Sequence, residues 1–348
     1  MVLAFLPACA GQGGQVAPIR LPAVEVKASG ETQPVGTVNQ DAADDPAIWR
    51  NAANPAASLI VGTDKKAGLY VYGLDGKIRN FVGAGQLNNV DLIGGQEEAL
   101  VVASDRTDRK NSKLTLFSLR FDDAKLRELG SISSGAGEAY GLCLQQQGRK
   151  GQPAVPATLT AYAAIKDGSV REVILTRGAD GRYAGRINRS WKLPTQIEGC
   201  VTSGRNGDLF VGEENVGIWR IRTSQADAQP EKFASVGEAG GLVADVEGLA
   251  YAMNDNGRDY LIASSQGDSA YAVYDVDSGA LLGRFRISDG TVDGVSETDG
   301  IELALGDFGP EYPAGLFIAQ DGNNPGGAQN FKLVDWRVVL QALNLPQR

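Results

Sequence analysis

One short element recurs six times along the chain, and nothing else in the sequence restricts the fold as tightly. It is a small acidic or amide cluster leading into an apolar run. The copies are Asp44-Asp45-Pro46-Ala47-Ile48-Trp49, Asn88-Asn89-Val90-Asp91-Leu92-Ile93, Ala139-Tyr140-Gly141-Leu142-Cys143-Leu144, Ile197-Glu198-Gly199-Cys200-Val201, Val246-Glu247-Gly248-Leu249-Ala250 and Thr298-Asp299-Gly300-Ile301-Glu302-Leu303. Successive copies lie about 44, 50, 57, 50 and 52 residues apart, so six units of roughly 50 residues fill the chain from about residue 40 onward.

Each unit carries a second element, an apolar β-branched stretch ending in a polar loop, at residues 58–66, 99–106, 159–167, 208–214, 259–266 and 315–321. Most are followed by an alternating strand, such as Gly68-Leu69-Tyr70-Val71-Tyr72 or Gly217-Ile218-Trp219-Arg220-Ile221, then a glycine turn and an outer strand. Four short strands per repeat at this period predict an all-β fold: a six-bladed β-propeller with four-stranded blades around a central channel. The 45 glycines among 348 residues suit the many turns this requires. The propeller is expected over residues 23–348 as one domain, with the segment 23–38 supplying the strand that closes the ring against the last blade.

In such a ring the innermost strands line the channel and the loops at one end converge. Asp44, Asp45, Asn89, Asp91, Tyr140, Glu198, Glu247 and Asp299 share one phase of the repeat and are expected on one face. Glu213, Glu214, Gln266 and Asp321, at the ends of second strands, would ring them. Lys65, Lys66, Arg106 and Lys166 occupy the same loops in the first three blades. The face is thus expected to have a basic side and an acidic side, suited to a polyanion bound directly by Lys and Arg and through bridging cations.

The chain has no histidine. That excludes Ser-His-Asp and Cys-His catalysis, His-ligated zinc and a phosphohistidine intermediate. Gathered carboxylates raise one another's pKa unless cations neutralise them, and an oxygen-only donor set suits Ca²⁺. The balance of 42 acidic against 33 basic residues argues against a nucleic-acid partner.

At the N-terminus, Leu6-Pro7-Ala8-Cys9 behind a short apolar stretch resembles a lipoprotein lipobox without its basic flank. Residues 1–22 are therefore expected to be a leader remnant, with export to the periplasm, outer membrane or medium and a lipid anchor at Cys9 as one form of it. Cys143 and Cys200 lie in short apolar runs and are expected to be two buried thiols. A monomer is expected.

Seven runs, in order, carry a resemblance: DDPAIW (44–49), TDKKAGLYVY (63–72), LNNVDL (87–92), EGLAYA (247–252), LIASSQGDSAYAVYD (261–275), SETDGIE (296–302) and EYPAGLFIAQDG (311–322). Together they resemble the β-propeller phytases over about residues 31–337 and touch every blade. The resemblance implies calcium-dependent hydrolysis of myo-inositol hexakisphosphate (phytate), with a cleavage site and a neighbouring phosphate-affinity site at the channel mouth. It implies Asp45, Glu198, Glu213, Glu247 and Asp299 as calcium ligands. Lys65, Lys66, Arg106 and Lys166 are implied as phosphate-binding, Tyr140 as a phosphate or metal contact, and Gln266 as a polar ligand of the same mouth. Glu31, Asp44, Asn89, Val90, Asp91, Asp245 and Glu311 fall in motifs implied to bind calcium, some of it structural. One departure concerns the ring closure, where the loop after Asp321 is short and glycine-rich for the calcium site expected there.

The expected chemistry is in-line attack on a phosphomonoester by a calcium-held water, without a covalent phosphoenzyme. Glu198, Glu213, Asp45, Lys65 and Arg106 are the expected catalytic residues. Two other readings stay open on the residues: a calcium-dependent six-bladed propeller lactonase or esterase, and a non-catalytic polyanion-binding propeller.

Overall fold

A computed structural model describes residues 22–145 and 154–347; the leader, including Cys9, lies outside them. The repeat becomes six antiparallel sheets, each beginning with the strand that carries one copy of the acidic element. Blade one is Ala43–Trp49, Leu59–Asp64, Gly68–Gly73 and Ile78–Gly83. Blade two is Leu87–Gly94, Glu98–Asp105, Asn111–Arg120 and Lys125–Ala136. Blade three is Ala139–Leu144, Thr158–Ile165, Ser169–Arg177 and Tyr183–Lys192. Blade four is Ile197–Thr202, Leu209–Glu213, Gly217–Ile221 and Glu231–Ser235. Blade five is Val246–Ala252, Tyr260–Ser265, Ala270–Asp275 and Leu281–Ser288.

Blade six is built from both parts of the chain. Ile301–Leu305, Gly315–Asp321 and Asn330–Asp335 pair in order, and Gly30–Glu31 adds the fourth strand, Glu31 opposite Lys332. This is the closure the repeat predicts. The alternating stretch Val24-Glu25-Val26, the part of the segment 23–38 expected to make that closure, instead runs parallel to Leu281–Ser288 within Val24–Lys27 as a fifth strand of blade five. A short helix, Trp336–Ala342, follows the last strand and is capped by Asp335, whose carboxylate accepts from Arg337 N at 3.0 Å.

The second strands are buried on both faces, so alternation sends neighbouring residues into different cores. Val61 points toward blade two and Ile60 toward blade six; Val101 points back toward blade one while Leu100 and Val102 face blade three. One cluster of buried side chains fills each of the six gaps between blades, including the gap from blade six to blade one. Each inner strand also touches the next around the full circle. Among the described residues no helix is long and apolar enough to cross a membrane.

In blades one to five the pairing of the inner strand slips at the same place. Asp44 and Asp45 lie between Ala43 and Pro46 where the partner strand offers only Thr63, and the pairs Asn88-Asn89, Tyr140-Gly141, Glu198-Gly199 and Glu247-Gly248 do the same. These are β-bulges, which bend a strand and re-aim its side chains. The second bulge position explains a sequence detail. A Cβ on Gly141 would stand 1.8 Å from the Glu198 carbonyl oxygen, and one on Gly199 2.0 Å from that of Glu247. Glycine is required there because the next inner strand passes against the backbone.

The structure corrects the reading of the two inner cysteines. Cys143 and Cys200 form a disulfide between the inner strands of blades three and four, with Cα atoms 5.7 Å apart. Their separation of 57 residues is one blade repeat, which sets them at nearly the same height on adjoining strands.

Candidate active site

The first residue of each bulge points into the channel mouth, and Asp299, just before Ile301–Leu305, completes the set in blade six. Asp44, Asn88, Tyr140, Glu198, Glu247 and Asp299 are therefore one contribution per blade. A second ring comes from the residue after each second strand. Lys65, Arg106, Lys166, Glu214 and Gln266 each donate their backbone N–H to the segment leading into their own inner strand, at Ala42, Gln86, Glu138, Gln196 and Asp245 respectively. Blades one to three thus present cations and blades four and five present a carboxylate and an amide.

Glu198 is the hub of the acidic side. Its Oε1 accepts from Asn88 Nδ2 at 2.6 Å, a contact bridging 110 residues of sequence. Carboxylate oxygens of Glu198, Glu214 and Glu247 all lie within 4.8 Å of one another. Burial, reinforced by Asp299, pushes the Glu198 carboxyl up to about 7. Burial and the adjacent Glu198 hold Glu247 well above the usual carboxylate range, and the two are hydrogen-bonded. Burial likewise raises Glu214 and Asp299, and both oxygens of the buried Asp44, like Glu247 Oε2, have no hydrogen-bond partner. Carboxylate oxygens this close and this poorly partnered are a donor set for a hard cation.

Lys65 faces them from blade one. Its Nζ lies 2.7 Å from Asp299, 2.7 Å from Asp41 and 3.9 Å from Asp44. Burial works to lower its pKa, but Asp44, Asp299 and Asp41 outweigh it and the ammonium keeps its proton. Gln266 Nε2 donates to the other Asp299 oxygen at 2.7 Å. On the basic side Tyr140 lies between two cations, Lys166 Nζ 4.7 Å and the Arg106 guanidinium 5.6 Å from its ring centre. The Arg106 Nε is buried with no hydrogen-bond partner. A cleft of about 640 Å³ opens beside Asp299, lined also by Asp41, Gln266, Glu297 and Asn323.

Below the mouth the channel narrows around Asp45, Asn89, Val90, Asp91 and Glu302. Asp45 Oδ2 accepts from Val90 N at 3.0 Å. Asp91 lies further down, its Oδ2 accepting from Leu144 N at 2.7 Å, where the inner strands end around a separate cavity. Asp245 is half-buried beside Glu214, and its carbonyl accepts from Gln266 N.

The geometry sets several of the sequence-based candidates apart from the cluster. Glu213 is not in the cluster. It ends the strand Leu209–Glu213, and its carboxylate accepts from Thr195 N and Oγ1 at 2.7 and 2.6 Å and from Trp219 Nε1 at 2.8 Å. Glu214, one residue on and so on the opposite side, takes its place. Glu311 is exposed on the turn before Gly315–Asp321, a strand of seven residues that separates it from the mouth by about 20 Å. Glu31 pairs with Lys332 at the rim of blade six rather than joining the channel residues. Lys66 is exposed on the loop next to Lys65. Asp268, which follows Gln266, pairs with the buried Arg284. Asn88, Asp41 and Glu302 belong to the mouth or channel without having been singled out; Asn88 shares the repeat phase of Glu198, which was signal enough to find it.

Fold and site define a class: a six-bladed propeller whose channel mouth sets cations from three blades against clustered carboxylates from the others. The sequence matches the phytase family over residues 5–346. It is 36% identical over 334 residues to the 3-phytase of Bacillus subtilis (strain 168), an alignment covering 92% of this chain and 85% of that protein. The chain belongs to the phytase family, and it is an enzyme of that family.

Proposed function

We propose that this chain hydrolyses phosphomonoesters of phytate at the channel mouth in a calcium-dependent reaction. The observation that carries the reading is the division of the mouth, with Lys65, Arg106 and Lys166 at equivalent loop positions facing Glu198, Glu214 and Glu247. A substrate dense in phosphate needs that pairing: cations of the protein on one side and carboxylates able to hold further cations on the other.

Glu198, Glu214, Glu247, Asp299 and Asp44 would hold calcium, with Gln266 and Asp245 at the edge; the unpartnered oxygens of Asp44 and Glu247 fit that role. Bound calcium would supply positive charge at the phosphoryl oxygens and lower the pKa of nearby water. Lys65 and Arg106 neutralise charge on the transferred group, and Lys166 and Tyr140 hold the phosphate beside it. Glu198, fixed by Asn88, orients the attacking water and takes its proton as the water oxygen bonds to phosphorus and the P–O bond to the inositol breaks, the leaving inositol oxygen taking up a proton from solvent. Asp45, Asn89 and Val90 would hold an ion in the channel below. Phosphate release from phytate with calcium and with excess EGTA tests this, run beside p-nitrophenyl phosphate and a lactone panel. Phytate turnover that survives EGTA would remove the calcium requirement, and lactone cleavage would favour an esterase.

Export is supported by the Cys143–Cys200 bridge, since structural disulfides persist in oxidising compartments. Fractionation of expressing cells with detection of the chain outside the cytoplasm tests it.

A further inference from the structure

At the rim of blade six, where the resemblance leads one to expect a calcium site, the structure has a lysine. Lys332 lies on Asn330–Asp335 and is wholly buried. Its Nζ sits 2.6 Å from Glu31 Oε2, 2.7 Å from Asp293 Oδ1, 3.0 Å from Asn324 Oδ1, 3.1 Å from Asn330 Oδ1 and 3.4 Å from Asp321 Oδ2. Three carboxylates and two amide oxygens converging on one point is a donor set a calcium ion would use. Here the point is taken by an ammonium on a tether.

The contacts join four separate pieces of the ring. Glu31 comes from the N-terminal strand, Asp293 from the connection between blades five and six, Asp321 and Asn324 from the end of the second strand of blade six and its loop, and Asn330 from the third strand. Glu31 Oε2 accepts from Asn330 Nδ2 as well, at 2.9 Å, so the carboxylate is committed twice. The short loop Gly322-Asn323-Asn324 is held over the ammonium by Asp321, whose Oδ1 accepts from Asn323 N.

We propose that Lys332 is the resident cation of the ring closure, standing where a metal ion would otherwise bind, so that the closure holds without calcium and Glu31 is not a calcium ligand. Lysine supplies a single charge and three directed N–H groups, where calcium supplies two charges and no direction. Two carboxylates of the cage, Glu31 and Asp293, accordingly keep 36% and 28% of their side chains in contact with solvent.

Counting bound metal tests this on the full chain. The double variant Glu31→Gln/Asp293→Asn should retain the same number of tightly bound calcium ions as the unaltered protein, measured by elemental analysis after gel filtration; one ion fewer would overturn the proposal. Lys332→Met, which keeps the stem and removes the charge, should bind one calcium more. Its melting temperature in EGTA should fall by several degrees and recover in millimolar calcium by more than the unaltered protein gains. A folded Lys332→Met protein with no added ion and the ordinary calcium response would also overturn it. Should that variant fail to fold, the count in the double variant decides alone.

Discussion

Glu213 and Glu214 leave the end of one strand in opposite directions: Glu213 turns back to Thr195 and Trp219, and Glu214 turns into the mouth to meet Glu198 and Glu247. Replacing either with glutamine should therefore have different consequences. Glu214→Gln is expected to cost at least tenfold in phytate turnover and to weaken calcium binding, read by steady-state kinetics and calcium titration. Glu213→Gln should leave calcium binding in place and lower thermal stability by about 2 kcal/mol, since a buried carboxylate holding three donors is replaced by a group that meets one of them with its own N–H. Equal losses of turnover in both variants would mean that the two side chains act as one group.

Lys65 sits between Asp299, Asp41 and Asp44, so its loss should be felt twice. Lys65→Met should raise KM for phytate and lower turnover, and it should lower the stability of the metal-free protein by about 3 kcal/mol, because buried carboxylates lose their partner. Urea unfolding in EGTA and in calcium separates the effects, and calcium should restore most of the lost stability. A metal-free midpoint equal to that of the unaltered protein would show that Lys65 does not compensate these acids.

The Cys143–Cys200 bridge closes a loop spanning 57 residues, essentially blade three. Chain entropy alone gives it on the order of 4 kcal/mol, so Cys143→Ser/Cys200→Ser should unfold at clearly lower urea concentration with an unchanged activity profile before unfolding. Free-thiol titration of the unfolded, unreduced protein checks the bond itself.

Asp275 tests the blade electrostatics through pH. Hydrogen bonds from Ser278 and Arg258 hold its carboxyl at about 2, below the ordinary 3.8. The folded pKa is depressed, so its stabilisation is present above about pH 4 and is lost as pH falls toward 2. Asp275→Asn should melt lower than the unaltered protein at pH 6, with the gap closing between pH 4 and 2. A gap constant over that range would assign the effect to hydrogen-bond geometry and not to charge.

The fold was legible because each inner strand begins with the same kind of cluster, and phase in a repeat is a spatial statement. The same phase identified Asp44, Glu198, Glu247 and Asp299 as neighbours and placed Lys65, Arg106 and Lys166 in one ring. It also separates Glu214 from Glu213, since Thr63-Asp64-Lys65, Ser104-Asp105-Arg106, Ile165-Lys166 and Gly212-Glu213-Glu214 align only when Glu214 stands under the cations. Choosing the first glutamate of the pair put a side chain on the wrong face, the ordinary penalty of a one-residue slip in a strand. The disulfide was encoded in a spacing equal to one blade, yet two apolar contexts suggested thiols. Lys332 was out of reach, because its partner Glu31 lies 301 residues away and nothing local marks a buried ammonium.

The recurring bulge separates two alphabets in this chain. The strands around it spell out how blades stack, in valine, leucine and alanine, while a single letter at the kink spells out what the ring does. Five such letters, completed by Asp299 in blade six, meet at the mouth although their strands pack into different gaps between blades. In the two blades whose second bulge residue is Asp45 or Asn89 instead of glycine, the text extends one level down the channel.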